Sequence, residues 1–306
     1  MKALFEKMFF APKWYHYPFI VLLLPFSFVY GCGMWLRRIF SKQISFGIPI
    51  VSVGNLIVGG AGKTPFVIAL ASKYQDVTVI SRGYGRQSKG LVEVSHRGKL
   101  LTNVIQSGDE AMLMAKSLSD ASVIVSEDRH SAINLAKEKG AKLIILDDGF
   151  NRVDIDKFDI LLEPLEILNY YTFPAGPFRE FMLTRKKANL IVKEGKEMTR
   201  LVRMVDETQR MVLVTAISNP KRLEPYLPQK KVIHRVYLDD HAYFNEKHLK
   251  QIIQEYQATS ILCTSKDKVK MHGFKLPISE MKLELEIKKD IFKQVDKYIE
   301  ICKRNK

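Results

Sequence analysis

Cysteine is scarce in this sequence: Cys32, Cys263 and Cys302 are odd in number and far apart. This excludes a disulfide framework and a zinc site built on paired ligand spacing, and it fits a reducing compartment. Low-complexity tracts and internal repeats are absent as well, so a disordered protein is excluded. Acidic residues are too few to balance the basic ones. The 33 Asp plus Glu against 48 Lys plus Arg leave a formal charge of +15, which favours an anionic partner such as nucleic acid, acidic lipid headgroups or a phosphorylated substrate. No aromatic-basic recognition motif accompanies that charge, so no nucleic acid partner is expected.

Another absence is local. From Trp14 to Leu36 no Asp, Glu, Lys or Arg occurs, a stretch about as long as the ~20 residues needed to cross a bilayer. Pro18 and Pro25 interrupt it, and proline kinks a helix interior, so an interfacial or half-inserted helix accords with the sequence as well as a full span does. A small-residue cleavage site is missing; the flank Arg37-Arg38-Ile39-Phe40-Ser41-Lys42 is basic instead. Basic residues there prefer the cytoplasmic face and acidic lipids, so the expected location is the cytoplasmic side of a membrane.

What is present is enough for a large core: 306 residues at 46% hydrophobic content suggest roughly two domains of about 150 residues. Apolar runs of strand character at residues 48–56, 77–81, 122–126 and 142–147 alternate with helical patterns such as DEAMLMAKSL and HSAINLAKEKG. Alternation of this kind predicts a parallel sheet covered by helices on both faces. Strand-like runs at 210–218, 231–238, 259–264 and 282–287 predict a second α/β layer structure, and the polar segment 195–210 reads as the boundary. The expected division is a membrane-associated segment at 1–43, a phosphate-loop domain at 44–200 and a C-terminal α/β domain at 201–306.

Between the first strand and helix stands GNLIVGGAGKTP, residues 54–65. The strict phosphate-loop pattern wants glycine where Ile57 stands. Its remainder is intact, because unpaired N–H groups at a helix start converge on phosphate when side-chain bulk is small. Gly59, Gly60, Ala61 and Gly62 supply that bend, Lys63 suits the β- and γ-phosphates, Thr64 suits magnesium, and Pro65 is tolerated in the first helical turn. LIILDDGF then places Asp147 and Asp148 after an apolar run, where a metal-holding acid is wanted, although Asp-Gly is also an ordinary turn. In SGDEAM, Ser107 and Glu110 fit a capping box and Asp109 suits the helix dipole; alternatively Asp109 meets an incoming hydroxyl while Glu110 assists the metal.

Taken in order, GNLIVGGAGKTP, SRGYGR (81–86), SGDE (107–110), EDRH (127–130), LDDGF (146–150), PAGPFRE (174–180), LDDHAYF (238–244) and TSKDKVK (264–270) resemble the tetraacyldisaccharide 4'-kinase family of lipid A biosynthesis. The resemblance implies a phosphate-loop NTPase-like α/β/α domain, a smaller second α/β domain, an active site in their cleft and an N-terminal membrane-associated helix. It implies that ATP, with Mg2+, phosphorylates the 4'-hydroxyl of an acylated glucosamine disaccharide 1-phosphate, giving lipid IVA at the inner membrane's cytoplasmic face. Asp109 then resembles the catalytic base, supported by His241, with Lys63 on the phosphates. Thr64, Glu110, Asp147 and Asp148 resemble the magnesium group. Asn55, Tyr84, Arg129, Asn151 and Arg179 fall on the substrate or phosphate side, arginine being suited to a phosphate fork.

Two departures stand out. Asn151-Arg152 replaces the family's usual Gln-His, and His241 is followed by Ala242 rather than a second histidine. Rival readings lack their own marks. A membrane-associated ATPase switch of the partitioning type wants lysine where Val58 stands, and TSKDKVK lacks the spacing used to read guanine.

Overall fold

The structure, a computed structural model, describes residues 2–59 and 62–304. Helices α1 (Lys2–Phe10) and α2 (Tyr17–Phe40) precede strand β1 (Ile50–Gly54) and helix α3 (Lys63–Ala71). Next come β2 (Val77–Ser81), β3 (Val92–His96), β4 (Lys99–Leu100), α4 (Val104–Ser107), α5 (Asp109–Ser117), β5 (Ser122–Val125) and α6 (Arg129–Glu138). Strands β6 (Leu143–Asp147), β7 (Phe158–Glu163), β8 (Leu190–Lys193), β9 (Met198–Val205), β10 (Met211–Thr215) and β11 (Val232–Tyr237) follow. The chain ends with α7 (Glu246–Glu255), β12 (Ser260–Thr264), α8 (Ser265–Lys268), β13 (Ile278–Ile287) and α9 (Lys289–Arg304). The class is mixed α/β, as the alternating apolar runs predict.

The chain divides into two compact units. One gathers the residues up to Phe66, Lys142–Thr199 and those from Ile287 onward; the other gathers Val67–Ala141 and Arg200–Glu286. In the first unit the strands run β6-β1-β7-β8, parallel throughout. Continuous apolar strands such as Leu143–Asp147 are fully buried, as parallel strands covered on both faces must be. The C-terminal helix belongs to this unit: the Ile50 N–H donates to the Tyr298 hydroxyl at 3.3 Å, and the Tyr298 ring lies 5.2 Å from that of Phe158.

Also in the first unit, α2 is one uninterrupted helix of 24 residues with Pro25 inside it and Pro18 in its first turn. Together with the turn before it, it is long and apolar enough to cross a membrane by length and composition, and 17% of its most apolar window is buried. Its inner face is specific. Thr172 Oγ1 donates to the Ser27 carbonyl at 2.7 Å, the Ala175 N–H donates to Ser27 Oγ at 2.8 Å, and a β-carbon at Gly31 would overlap the Phe181 ring. Arg38 forks onto both Glu180 oxygens at 2.9 and 3.0 Å, and Arg37 donates to the Asn151 carbonyl at 2.6 Å. Two residues of the basic flank are thus engaged by the protein itself. Val21, Leu22, Phe26, Phe28 and Val29 point outward, exposed.

The second unit holds two groups of strands. In β4-β3-β5-β2 the β2–β5 pair is parallel while β3 runs antiparallel to β5, an edge the alternating pattern did not reveal. The other sheet runs β11-β10-β12-β13-β9, with parallel pairing among its first four strands. Val212, Val214, Ile261 and Cys263 pack there against Leu249 and Ile252 of α7 and against Phe244 and Met271.

Candidate active site

In the first unit, β1 ends on Gly54, where no side chain fits, since a β-carbon there would lie 2.5 Å from the Phe150 β-carbon. The following run is strapped down by the PAGPFRE segment: Val58 N–H donates to the Pro177 carbonyl at 2.8 Å and Arg179 N–H to the Leu56 carbonyl at 2.7 Å. Gly59 and Gly62 take φ of +94° and +74°, a region open to glycine at no steric cost. Gly60 and Ala61 lie outside the described residues. Helix α3 then starts at Lys63, as the phosphate-loop reading requires, and places half-buried Thr64 and Pro65 in its first turn.

Lys63 Nζ donates to Asn55 Oδ1 at 3.0 Å and stands 3.4 Å from Asp148 Oδ1. Asn55, expected on the substrate side, is thereby a partner of the lysine. Arg179 Nη1 reaches both Asp148 oxygens, at 3.2 and 2.9 Å. Burial pushes the Asp148 carboxyl up, but the Lys63 and Arg179 charges more than offset this and hold it below its ordinary value. Asp148 adopts φ +54° and Asp147 is buried at the end of β6. The adjoining Gly149 has no room for a side chain, since its β-carbon would meet Leu146 and Ser52. Asn151 gives its carbonyl to Arg37.

In the second unit, α5 begins at Asp109 behind Gly108, whose φ of +81° and ψ of +160° are essentially closed to other residues. A β-carbon on Gly108 would also lie 2.7 Å from the Tyr84 carbonyl. The predicted capping box does not form. Ser107 ends α4 and turns its hydroxyl to the Asn103 and Gly108 carbonyls, while Glu110 N–H is met by the Asp109 carboxylate at 2.9 Å. The intervening glycine breaks the register a box needs.

Asp109 is 4% exposed. His241 Nδ1 approaches its oxygens at 2.9 and 3.2 Å, with Lys270 and Lys266 ammonium groups at 3.6 and 3.9 Å from Oδ2. Burial raises the Asp109 carboxyl, yet the His241 hydrogen bond and the Lys266, His241 and Lys270 charges outweigh it and leave the group below its ordinary value. His241 takes φ +63°, its N–H donates to the Ala216 carbonyl at 3.0 Å, and the exposed Tyr84 ring lies 5.1 Å from its imidazole. Glu110 pairs with Lys266 at 3.1 Å.

Other motif residues serve as scaffold. Glu127 holds Arg86 at 2.7 Å and Gly90 N–H at 3.0 Å, joining EDRH to SRGYGR. Asp128 caps α6. Arg129, expected near substrate, is buried and donates to the Ser81 and Ser126 carbonyls at the ends of β2 and β5. Sequence reasoning missed Lys266, Lys270 and Asp267. TSKDKVK was visible as a motif, but only its four-residue spacing, which sets Lys266 and Lys270 on one side of a turn, hinted at a shared target.

Thr64, Asp147 and Asp148 of the first unit offer hard oxygen donors, as does Glu110 of the second by itself, and such oxygens are the chemistry magnesium takes. Among the described residues no three His, Cys, Asp or Glu side chains converge as a metal cage.

The sequence model of a family described as LpxK, tetraacyldisaccharide-1-P 4'-kinase, matches residues 19–300. The tetraacyldisaccharide 4'-kinase of Helicobacter acinonychis is 46% identical over 300 residues, covering 97% of this chain and 95% of the relative. That of Aliarcobacter butzleri is 45% identical over 303 residues, 96% of each, and that of Campylobacter jejuni 39% over 284 residues, 92% and 91%. A crystal structure of LpxK from Aquifex aeolicus in complex with ATP aligns with a TM-score of 0.79 at 29% identity, covering 92% of this chain and 99% of that one. On the extent of these matches, the chain belongs to the tetraacyldisaccharide 4'-kinase family, a family of kinases.

Proposed function

We propose that this kinase transfers the γ-phosphoryl group of ATP to the 4'-hydroxyl of a tetraacyldisaccharide 1-phosphate at the cytoplasmic face of the inner membrane, forming lipid IVA. The observation that carries the reading is the buried Asp109 carboxylate paired with His241. A carboxylate kept charged and oriented by imidazole can accept the proton of an incoming alcohol. The alcohol oxygen then bonds to the γ-phosphorus as the bond from that phosphorus to the β–γ bridging oxygen breaks, and ADP leaves. Basicity matters less than aim here, because phosphoryl transfer is governed by positioning and charge stabilisation.

Lys63 is assigned to the β- and γ-phosphates, with the glycine run beside it cradling them through backbone N–H groups. Arg179, held on Asp148, stands ready as a phosphate fork. Thr64, Asp147 and Asp148 would hold magnesium, which when bound neutralises charge on the β- and γ-oxygens. Residues 1–43 are assigned to the lipid surface, 44–200 to nucleotide and 201–306 to the supply of His241. The exposed apolar face of α2 supports the first assignment. Acyl chains demand an enzyme that works where they are anchored.

The test is labelled-phosphate transfer with purified protein, ATP, magnesium and tetraacyldisaccharide 1-phosphate. One labelled lipid per ADP, with negligible ADP formed when the lipid is omitted, is the expected result, and Asp109→Ala should slow transfer at least about 100-fold. ATP hydrolysis that ignores the lipid would instead indicate a switch protein.

A further inference from the structure

The TSKDKVK motif is left without a task by the reading above, and its geometry converges on Asp109. Thr264 caps α8, and Asp267 inside that turn is fully buried. The Asp267 carboxylate accepts Thr215 Oγ1 at 2.6 Å, Thr264 Oγ1 at 2.8 Å and Ala216 N–H at 3.1 Å. The carbonyl of the same Ala216 accepts the His241 N–H. Residue 216 is therefore fixed from both sides, and with it the backbone that carries the imidazole.

Lys270 follows in the next turn with its side chain 1% exposed, its ammonium 3.6 Å from Asp109 Oδ2 and 3.6 Å from Asp267 Oδ1. The nitrogen lies 5.1 Å from the centre of the Phe244 ring and has no hydrogen-bond acceptor within bonding distance among the described residues. A buried ammonium without hydrogen bonds is unfavourable unless opposite charge compensates it. Asp267 already has three donors, so it does not require the lysine for satisfaction. Asp109, which lies at the same distance, has among the described residues only His241 and one backbone N–H as hydrogen-bond donors.

We propose that Lys270 is a positioning residue for Asp109, a buried cation that locks the carboxylate plane facing His241 while Asp267 of the same motif fixes His241 through Ala216. The inference rests on the kinase reading with Asp109 as acceptor of the hydroxyl proton. Its effect is on aim: without the ammonium the carboxylate keeps, among the described residues, the His241 and Glu110 N–H bonds and the more distant Lys266, but loses the cation nearest Oδ2, and misplacement of a reacting group by about 1 Å costs on the order of 100-fold in rate.

Steady-state kinetics with ATP and tetraacyldisaccharide 1-phosphate on Lys270→Met, Lys270→Arg, Asp109→Asn and Asp109→Asn/Lys270→Met decide it. Methionine matches the length of the lysine stem and suits the Phe244 ring. Lys270→Met should lower kcat about 100-fold with both KM values within about threefold of the parent, and Lys270→Arg should recover kcat to within about tenfold. On the Asp109→Asn background the same Lys270→Met change should cost less than about threefold, since residues acting through one another are non-additive. An equal kcat loss on both backgrounds, an effect confined to KM, or an arginine variant as slow as methionine in protein that melts normally would overturn the proposal. If Lys270→Met does not fold, the double variant against Asp109→Asn and Lys270→Arg against the parent decide instead, and a double variant more than about threefold slower than Asp109→Asn, or an arginine variant more than about tenfold slower than the parent, overturns the proposal. Asp109→Asn at full speed would remove the catalytic reading itself, a result distinct from a slow Asp109→Asn beside an unaffected Lys270→Met, which sinks this inference alone.

Discussion

At residue scale the molecule uses opposed charge to keep two carboxylates ionised. Asp109 is the clearer case, because burial alone would raise it while His241 and the two lysines bring it below its ordinary value. Between its ordinary value near 3.9 and the lower folded value, the unfolded chain binds more protons than the folded one. Stability supplied by this group is therefore fully present above about pH 5 and lost as pH falls through the folded value. Melting midpoints at pH 6 and pH 3 for the parent and Asp109→Asn should show a gap that narrows at the lower pH; a constant gap would deny the charge its role. Asp109 and His241 were legible because each sits in a recognisable motif. Lys270 was not, since a lysine in a lysine-rich segment carries no mark of burial. Asn55 was legible only as polar, and its hydrogen bond to Lys63 requires the turn of the glycine run to exist.

At the scale of elements, the buried apolar strands could be read from their runs of β-branched residues, and β2 spans the predicted Val77–Ser81. Strand β9 could not. Beyond buried Met198, its MTRLVRMV sequence alternates exposed and half-buried positions up to Met204 at the edge of its sheet, so it reads as a polar segment until a neighbour supplies the ladder. The helix α2 illustrates the converse. Its existence was plain, but its attachment depends on Glu180, far away in sequence. Replacing Arg38 by methionine leaves that carboxylate, with a side chain 4% exposed, without its cation, and breaking a buried pair in this way costs about 3–5 kcal/mol. Urea unfolding should register that loss, and Arg38→Met/Glu180→Gln should recover a large part of it.

For the whole molecule, the surplus of 48 basic over 33 acidic residues and the exposed apolar face of α2 make the proposed lipid-surface assignment testable with acidic lipid. Cosedimentation should favour vesicles containing phosphatidylglycerol over pure phosphatidylcholine, and the preference should weaken as salt rises because each basic residue near the surface contributes only about 1 kcal/mol of screenable attraction. Indifference to lipid charge would assign the basic surplus to substrate alone. The family was legible from eight short motifs in order, and the match over residues 19–300 bears that out. The motifs did not disclose that several of their members, among them Glu127 and Asp128, are there to hold loops in place.

His241 holds its backbone in the left-handed region at φ +63°, a conformation histidine tolerates less well than glycine or asparagine. Among variants that all lose the hydrogen bond to Asp109, glycine relieves this backbone strain and alanine does not, so calorimetry of His241→Gly should find a higher melting point than that of His241→Ala. Under the proposed chemistry the imidazole keeps a strained turn for the sake of turnover, and a variant that relaxes this turn would be a protein without its partner for Asp109.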